Sequence, residues 1–129
     1  MKANELMIGD WVECVDSTHK KKVYAQIDAI EEGQTCILVK LDNCNWFLDI
    51  SFIEPILLTA EILEKNGFIR YGTSYILKES MFELTNPSNP DRYLDNYYIR
   101  LARQNKRVMY IHKLQHFMRL FGIKEEIEL

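Results

Sequence analysis

Glycine is scarce in this sequence, with five in 129 residues. None of them builds a phosphate cradle: no G-x-x-x-x-G-K-[ST], G-x-G-x-x-G or G-x-S-x-G stretch occurs. Those motifs let the backbone approach a phosphate or turn sharply at a nucleophile, so nucleotide loops and the hydrolase elbow are excluded. Cysteine is scarce as well. Cys14, Cys36 and Cys44 are odd in number and form no C-x-x-C. Reduced, largely buried thiols in a cytoplasmic protein are expected, in place of a disulfide framework. A zinc site made of the three, or of cysteine with histidine, is the alternative. No apolar run approaches the ~20 residues of a membrane span. The stretch Met1–Asp10 has no long apolar centre and carries an early acid, unlike a secretory signal.

Acid is missing from one long stretch. Residues 96–123 hold no Asp or Glu but carry Arg100, Arg103, Lys106, Arg107, Lys113 and Arg119. The net charge of the whole chain is −3, so the remainder is strongly acidic. This asymmetry is the main sequence pointer to partners. Hydrophobic residues at 47% and fifteen aromatics are enough for a core, and one domain or two very small ones are expected.

The first 55 residues read as short strands with polar turns. Asp10–Val15 follows the Gly9-Asp10 turn, Val23–Ile30 alternates with a period of two, and Thr35–Leu41 and Trp46–Ile50 follow. This pattern predicts a small SH3-like β-barrel over 1–55, with a simple curled antiparallel sheet as the alternative. Trp11 and Trp46 are expected to pack between strands; a shallow aromatic groove is the second reading.

Residues 56–129 read as an antiparallel sheet with two short helices, completing an α+β fold that can pack as one compact domain. Thr59 caps a helix over Ala60–Asn66, Leu58 and Leu63 form a hydrophobic staple, and Gly67 stops it. Ile62 and Leu63 are its expected buried residues. Strands are expected at Phe68–Tyr71, Tyr75–Lys78, Met81–Thr85, Tyr97–Arg103 and Arg107–Ile111. Gly72-Thr73-Ser74 and Gln104-Asn105-Lys106 are read as hairpin turns, and residues 86–91, with two prolines, as a long loop. A last helix spans Ile111–Phe121 and stops at Gly122. The tail 123–129 is expected to add an edge strand or fray. No internal repeat or low-complexity segment is present.

Four phrases carry a resemblance: Ala3–Val12 (ANELMIGDWV), Ile53-Glu54-Pro55-Ile56 with Leu58-Thr59, Ile62–Phe68, and Tyr110–Gln115 (YIHKLQ). In them the chain resembles a family of small, functionally uncharacterised bacterial proteins, met in gut Bacteroidetes genomes and often near mobile elements. The phrases span both ends and the middle. The resemblance implies a fold plan, α+β with a small N-terminal barrel, and no mechanism or site residues.

His112 and His116 stand four apart, the spacing of zinc proteases, but Lys113 occupies the place of their glutamate base. On a helix, Ile111, Leu114, Phe117, Met118 and Phe121 share one face, while His112, His116 and Arg119 fall opposite. The pair is therefore read as solvent- or partner-facing, with a metal clip as the lesser alternative, a metal-dependent enzyme as a remote third reading, and no cofactor expected. Asp10, Asp28, Asp42 and Asp49 are read as surface carboxylates. Arg100, Arg103, Lys106 and Arg107 cluster at one predicted hairpin, near Tyr97, Tyr98 and Tyr110. Cations interleaved with aromatics suit phosphates and bases, while solvation or pairing with the chain's own acids is the bland reading. Lys20-Lys21-Lys22 is read as a solvated loop, and the Gly9-Asp10-x-Val12 opening is similar to that of nucleic-acid-associated SH3-like modules. The sequence predicts a non-enzymatic binding module without a membrane partner. Nucleic acid or an acidic protein surface is its expected target, through Arg100, Arg103, Lys106, Arg107, His112, His116 and Arg119. The runner-up is a protein–protein adaptor that uses the barrel groove or the acidic tail.

Overall fold

The computed structural model describes residues 5–16, 21–34, 37–43, 45–72, 74–77, 82–85, 97–101, 104–124 and 126–129, and the backbone alone at 15, 16, 21, 82, 97–101 and 104–107. The fold is α+β. It divides into two compact units, Met1–Ile56 and Leu57–Leu129.

The first unit is a curled antiparallel sheet of order β4-β3-β2-β1-β5. Its strands are β1 (Trp11–Asp16), β2 (Lys21–Glu32), β3 (Ile37–Leu41), β4 (Phe47–Asp49) and β5 (Ile53–Glu54). Strand β2 is long because it serves both halves. It pairs with β1 through Lys21–Gln26 and with β3 through Ile27–Glu32, with a register shift between Ile27 and Ala29. Such an irregularity bends a strand and increases its twist, which curls the sheet. A 3-10 turn, Ile50–Phe52, breaks the β4 run that the sequence suggested, because the Asp49 carboxylate accepts the Ser51 N–H at 2.9 Å. The chain then returns as β5 to pair with β1. Period-two alternation sends Leu6, Val12, Ala25, Ile27, Val39, Leu41 and Ile53 into one core. Cys14 is half-buried against it.

The Gly9-Asp10 pair anchors this unit. Gly9 has φ 91, a left-handed conformation that glycine adopts without steric cost. The turn closes through Asp10 N–H to Met7 O (3.1 Å), and the Asp10 carboxylate accepts the Met7 N–H (2.8 Å). Both residues of the pair are then tied to β2: Gly9 N–H donates to Ile27 O, and Ile27 N–H donates to Asp10 O. Asp10 is fully buried, so the expectation of a surface carboxylate is corrected. Its burial is tolerated because the carboxylate has a backbone donor.

The second unit holds a sheet of order β10-β9-β8-β7-β6 and two helices. Helix α1 is Ala60–Lys65, and the sheet comprises β6 (Phe68–Tyr71), β7 (Ser74–Leu77), β8 (Phe82–Thr85), β9 (Tyr97–Leu101) and β10 (Gln104–Val108), followed by α2 (Ile111–Leu120). Thr59 Oγ1 accepts the Ile62 N–H at 3.2 Å, Leu58 and Leu63 are both fully buried, and Gly67 stops α1 with φ 85. Ile62 is only partly buried. Gln104 already pairs with Leu101, so Gln104–Lys106 is strand and not the expected turn. The expected loop at 86–91 lies outside the described residues.

Among the described residues the tail adds no strand, and its end is held in place. Ile127 is 3% exposed, and Asn66, the C-cap of α1, holds the backbone of residue 128 on both sides. Asn66 Nδ2 donates to Glu128 O at 2.8 Å, and Glu128 N–H donates to Asn66 Oδ1 at 2.6 Å. A side-chain amide has the donor–acceptor pair of a peptide group, so Asn66 does for this segment what a neighbouring strand would. Among the described residues, no helix is long and apolar enough to cross a membrane.

Candidate functional site

The seven residues singled out by charge do not share one environment. In the β9–β10 ribbon Arg107 is opposite Tyr98, Arg100 opposite Asn105, and Lys106 opposite Ile99. Successive positions of a strand alternate faces. Positions 98, 100, 105 and 107 therefore share one face, while position 106 has the parity of Val108, which is fully buried. Backbone register therefore puts positions 100 and 107 on one face of the ribbon and position 106 on the other. Arg103 lies outside the described residues. Arg119 is exposed in the last turn of α2, where its charge complements the helix C-terminus.

His112 is not on the solvent side. It is 1% exposed, and the buried arc of α2 is Ile111, His112, Leu114, Gln115 and Met118. Phe121, assigned to the apolar face by hydropathy, is 48% exposed. Phe121 leaves the apolar face because it is the C-cap, followed by Gly122 at φ 71, where the helical path ends. An imidazole can occupy an interior position as a flat ring. The His112 ring stacks on Tyr110 with centroids 5.8 Å apart and planes 11° apart, and meets His116 edge-on at 5.7 Å. Tyr110 is itself fixed, bridged to Leu57. His116 is partly buried. A zinc centre needs at least three protein ligands. Among the described residues no group of three His, Cys, Asp or Glu stands together to hold a metal.

The remaining aspartates have structural duties. Asp28 pairs with Lys40 at 3.3 Å, Asp42 Oδ1 accepts the Gln26 N–H at 3.1 Å, and Asp49 caps the 3-10 turn. Each lies on its own turn or strand and serves the local backbone or a neighbouring strand.

The surface holds Trp46, which the sequence reading put inside, and two phenylalanines near it in the chain. Trp46 is 64% exposed, Phe47 38% and Phe52 56%, all within seven consecutive residues around β4. Core packing of Trp46 is corrected: it precedes β4 at the end of a polar turn, outside the alternation that buries a side chain. Trp11 is partly buried, on the outward parity of β1. Within β4, Leu48 packs against the core opposite Val39, so Phe47 and Asp49 take the outer face, Phe47 opposite Lys40. β4 is also an end strand, with β3 its one partner among the described residues. The signal in the sequence was there: Phe47-Leu48-Asp49 allows one inward residue, and a tryptophan beside Asn43 and Asn45 sits in turn composition.

Fold and surface together define a two-unit α+β protein with an aromatic sheet edge. Set against protein-family models, curated proteins and solved structures, the chain matches none.

Proposed function

We propose that this chain is a non-enzymatic binding module, cytoplasmic and accessory to a mobile element, whose first unit is an SH3-like barrel that docks a protein partner. The barrel reading is supported by the strand order β4-β3-β2-β1-β5, the bent β2 shared between two halves, and the 3-10 turn before β5. The mobile-element assignment rests on the four sequence phrases. Docking is carried by one observation: the exposure of Trp46 and Phe47 at the β4 edge, with Phe52 exposed in the 3-10 turn that follows. Aromatic residues are the ones enriched at protein interfaces, where they bury large area at low conformational cost. An end strand can also accept an extended peptide by backbone pairing. The test is an array of extended peptides probed with wild-type protein and with Trp46→Ala and Phe52→Ala. Spots lost in both variants support the docking surface. Spots that persist in both, or none at all, end it.

A second reading, polyanion binding by the other unit, is favoured by the register that puts Arg100, Arg107 and Tyr98 on one ribbon face. Its signature is salt. Binding to labelled single-stranded DNA or RNA should fall steeply between about 50 and 200 mM salt and weaken in Arg100→Ala with Arg107→Ala. Binding to an apolar edge should not change in that way.

A further inference from the structure

We infer that the end of α1 is a peptide-binding seat, filled by residues 126–129 of the chain itself, and that it takes a segment of another protein with an aliphatic side chain in the place of Ile127 and any residue but proline after it. The seat lies in the second unit and is independent of the docking surface proposed for the first. Its ligand chemistry is visible because the chain supplies a ligand of its own. From Glu126 to Leu129 the residues run exposed, buried, exposed and half-buried, the period of an extended segment. Ile127 is the anchor, at 3% exposure. Asn66 holds both backbone groups of the next residue, Nδ2 donating to Glu128 O and Oδ1 accepting the Glu128 N–H. Recognition of an extended peptide is built in the same way, with main-chain hydrogen bonds for affinity and a pocket at alternate side chains for specificity.

The helix end orients Asn66 for this task. Its Nδ2 also donates to Ile62 O at 2.8 Å, and its backbone N–H is shared by the carbonyls of Ile62 and Leu63 at 3.2 and 3.1 Å. An amide so fixed loses little freedom on binding, which favours affinity. The tail, by contrast, is held lightly. Ile127 is its one buried residue, both bonds to Asn66 lie at exposed positions, and among the described residues no strand pairs with it. A segment with so few buried contacts opens at low free energy. Glu126 and Glu128 are exposed, so the seat selects by the aliphatic anchor and the backbone rather than by acid. Proline after the anchor would remove the N–H that Asn66 accepts. A foreign segment of this pattern competes with the tail at an effective concentration that is roughly millimolar. The docked tail therefore gates its own seat.

The test uses the full chain and a fluorescein-labelled peptide of residues 123–129, with control peptides carrying Ile127→Ser or Glu128→Pro. Anisotropy is measured with wild type, Glu128→Pro and Asn66→Ala, their folding checked by circular dichroism. Glu128→Pro releases the tail and keeps Asn66, whereas Asn66→Ala releases the tail and loses the amide. The peptide should bind Glu128→Pro about tenfold more tightly than either of the others, and the controls should bind none of them. In isotope-labelled wild type, an excess of unlabelled peptide should speed amide exchange at residues 126–129. Equal binding to Glu128→Pro and Asn66→Ala would reduce the seat to an apolar contact and overturn the role of the amide. No binding to folded Glu128→Pro, or unchanged wild-type exchange where that variant does not fold, would make the tail a fixed part of the fold and overturn the seat. A wild-type dimer that Glu128→Pro turns to monomer would give the seat to a second copy and overturn the foreign partner.

Discussion

Asn66 ties the end of a short helix to a segment 62 residues away, and it does so with a single amide. The same Nδ2 also donates to Ile62 O at 2.8 Å, so one side chain both closes α1 and holds the tail. Replacing Asn66 with Ala should cost about 1–2 kcal/mol in chemical denaturation, since several exchanged hydrogen bonds are lost at partly solvated sites. Asn66→Asp should cost at least as much. It keeps the acceptor for Glu128 N–H but faces the carbonyls of Ile62 and Glu128 without a donor, so hydrogen exchange at residues 126–129 should accelerate in both variants. Equal stability of Asn66→Asp and wild type would show that the donor side of the amide contributes nothing. At this scale the sequence was half legible. Asn66-Gly67 marked the helix end by composition alone, whereas the distant partner of the amide has no local signature. Asp10 was misread for the same reason, because its donor, Met7 N–H, is created only when the turn closes.

Helices divided sharply in how much they disclosed. α1 was legible in its boundaries and cap, since Thr59, Leu58, Leu63 and Gly67 each act within one turn of the chain. α2 was legible in extent but not in phase. Its interior includes His112 and Gln115, which hydropathy assigns to solvent. The observed phase makes a clear prediction: Phe121→Ser should change stability by no more than about 0.5 kcal/mol, while Leu114→Ala should cost about 2–5 kcal/mol. Denaturation midpoints of the two variants check it, and comparable losses would restore the hydropathic face. In the sheets, the existence of the strands was legible from their β-branched, apolar and alternating runs, their order was not, and the β9–β10 turn was misplaced. Basic and polar residues at Gln104–Lys106 look like a turn, but their backbone pairs with β9, an interaction no local propensity encodes.

On the scale of the molecule, charge and core are both partitioned. The described core of the first unit is confined to Leu6–Ile53, and the second unit has its own buried set, including Leu63, Tyr75, Leu84, Ile111 and Leu114. Ile27→Ala should therefore cost about 2–5 kcal/mol and raise amide exchange through β1–β5 while leaving β6–β8 and α2 near their wild-type rates. Uniform acceleration in both units would mean that they open as one. The alternation of the first 55 residues made the sheet legible. What stayed hidden was the aromatic edge, because a tryptophan carries the same hydropathy whether it closes a core or a partner does.

The clasp also sets a chemical clock. Asparagine followed by glycine is the sequence most prone to cyclise, the Gly67 nitrogen attacking the side-chain carbonyl carbon with loss of ammonia and water then opening the ring to aspartate or isoaspartate. While the tail is docked, that carbonyl is held by Glu128 N–H and the Gly67 N–H donates to Glu64 O at 3.3 Å. Loosening the tail through Ile127→Ser should therefore shorten the lifetime of Asn66, read by peptide mass mapping after incubation at mildly alkaline pH, against a wild-type sample that ages slowly. Each molecule that lets go for long enough would lose the donor it needs to clasp again, so the protein's age would be written in the grip on residues 126–129.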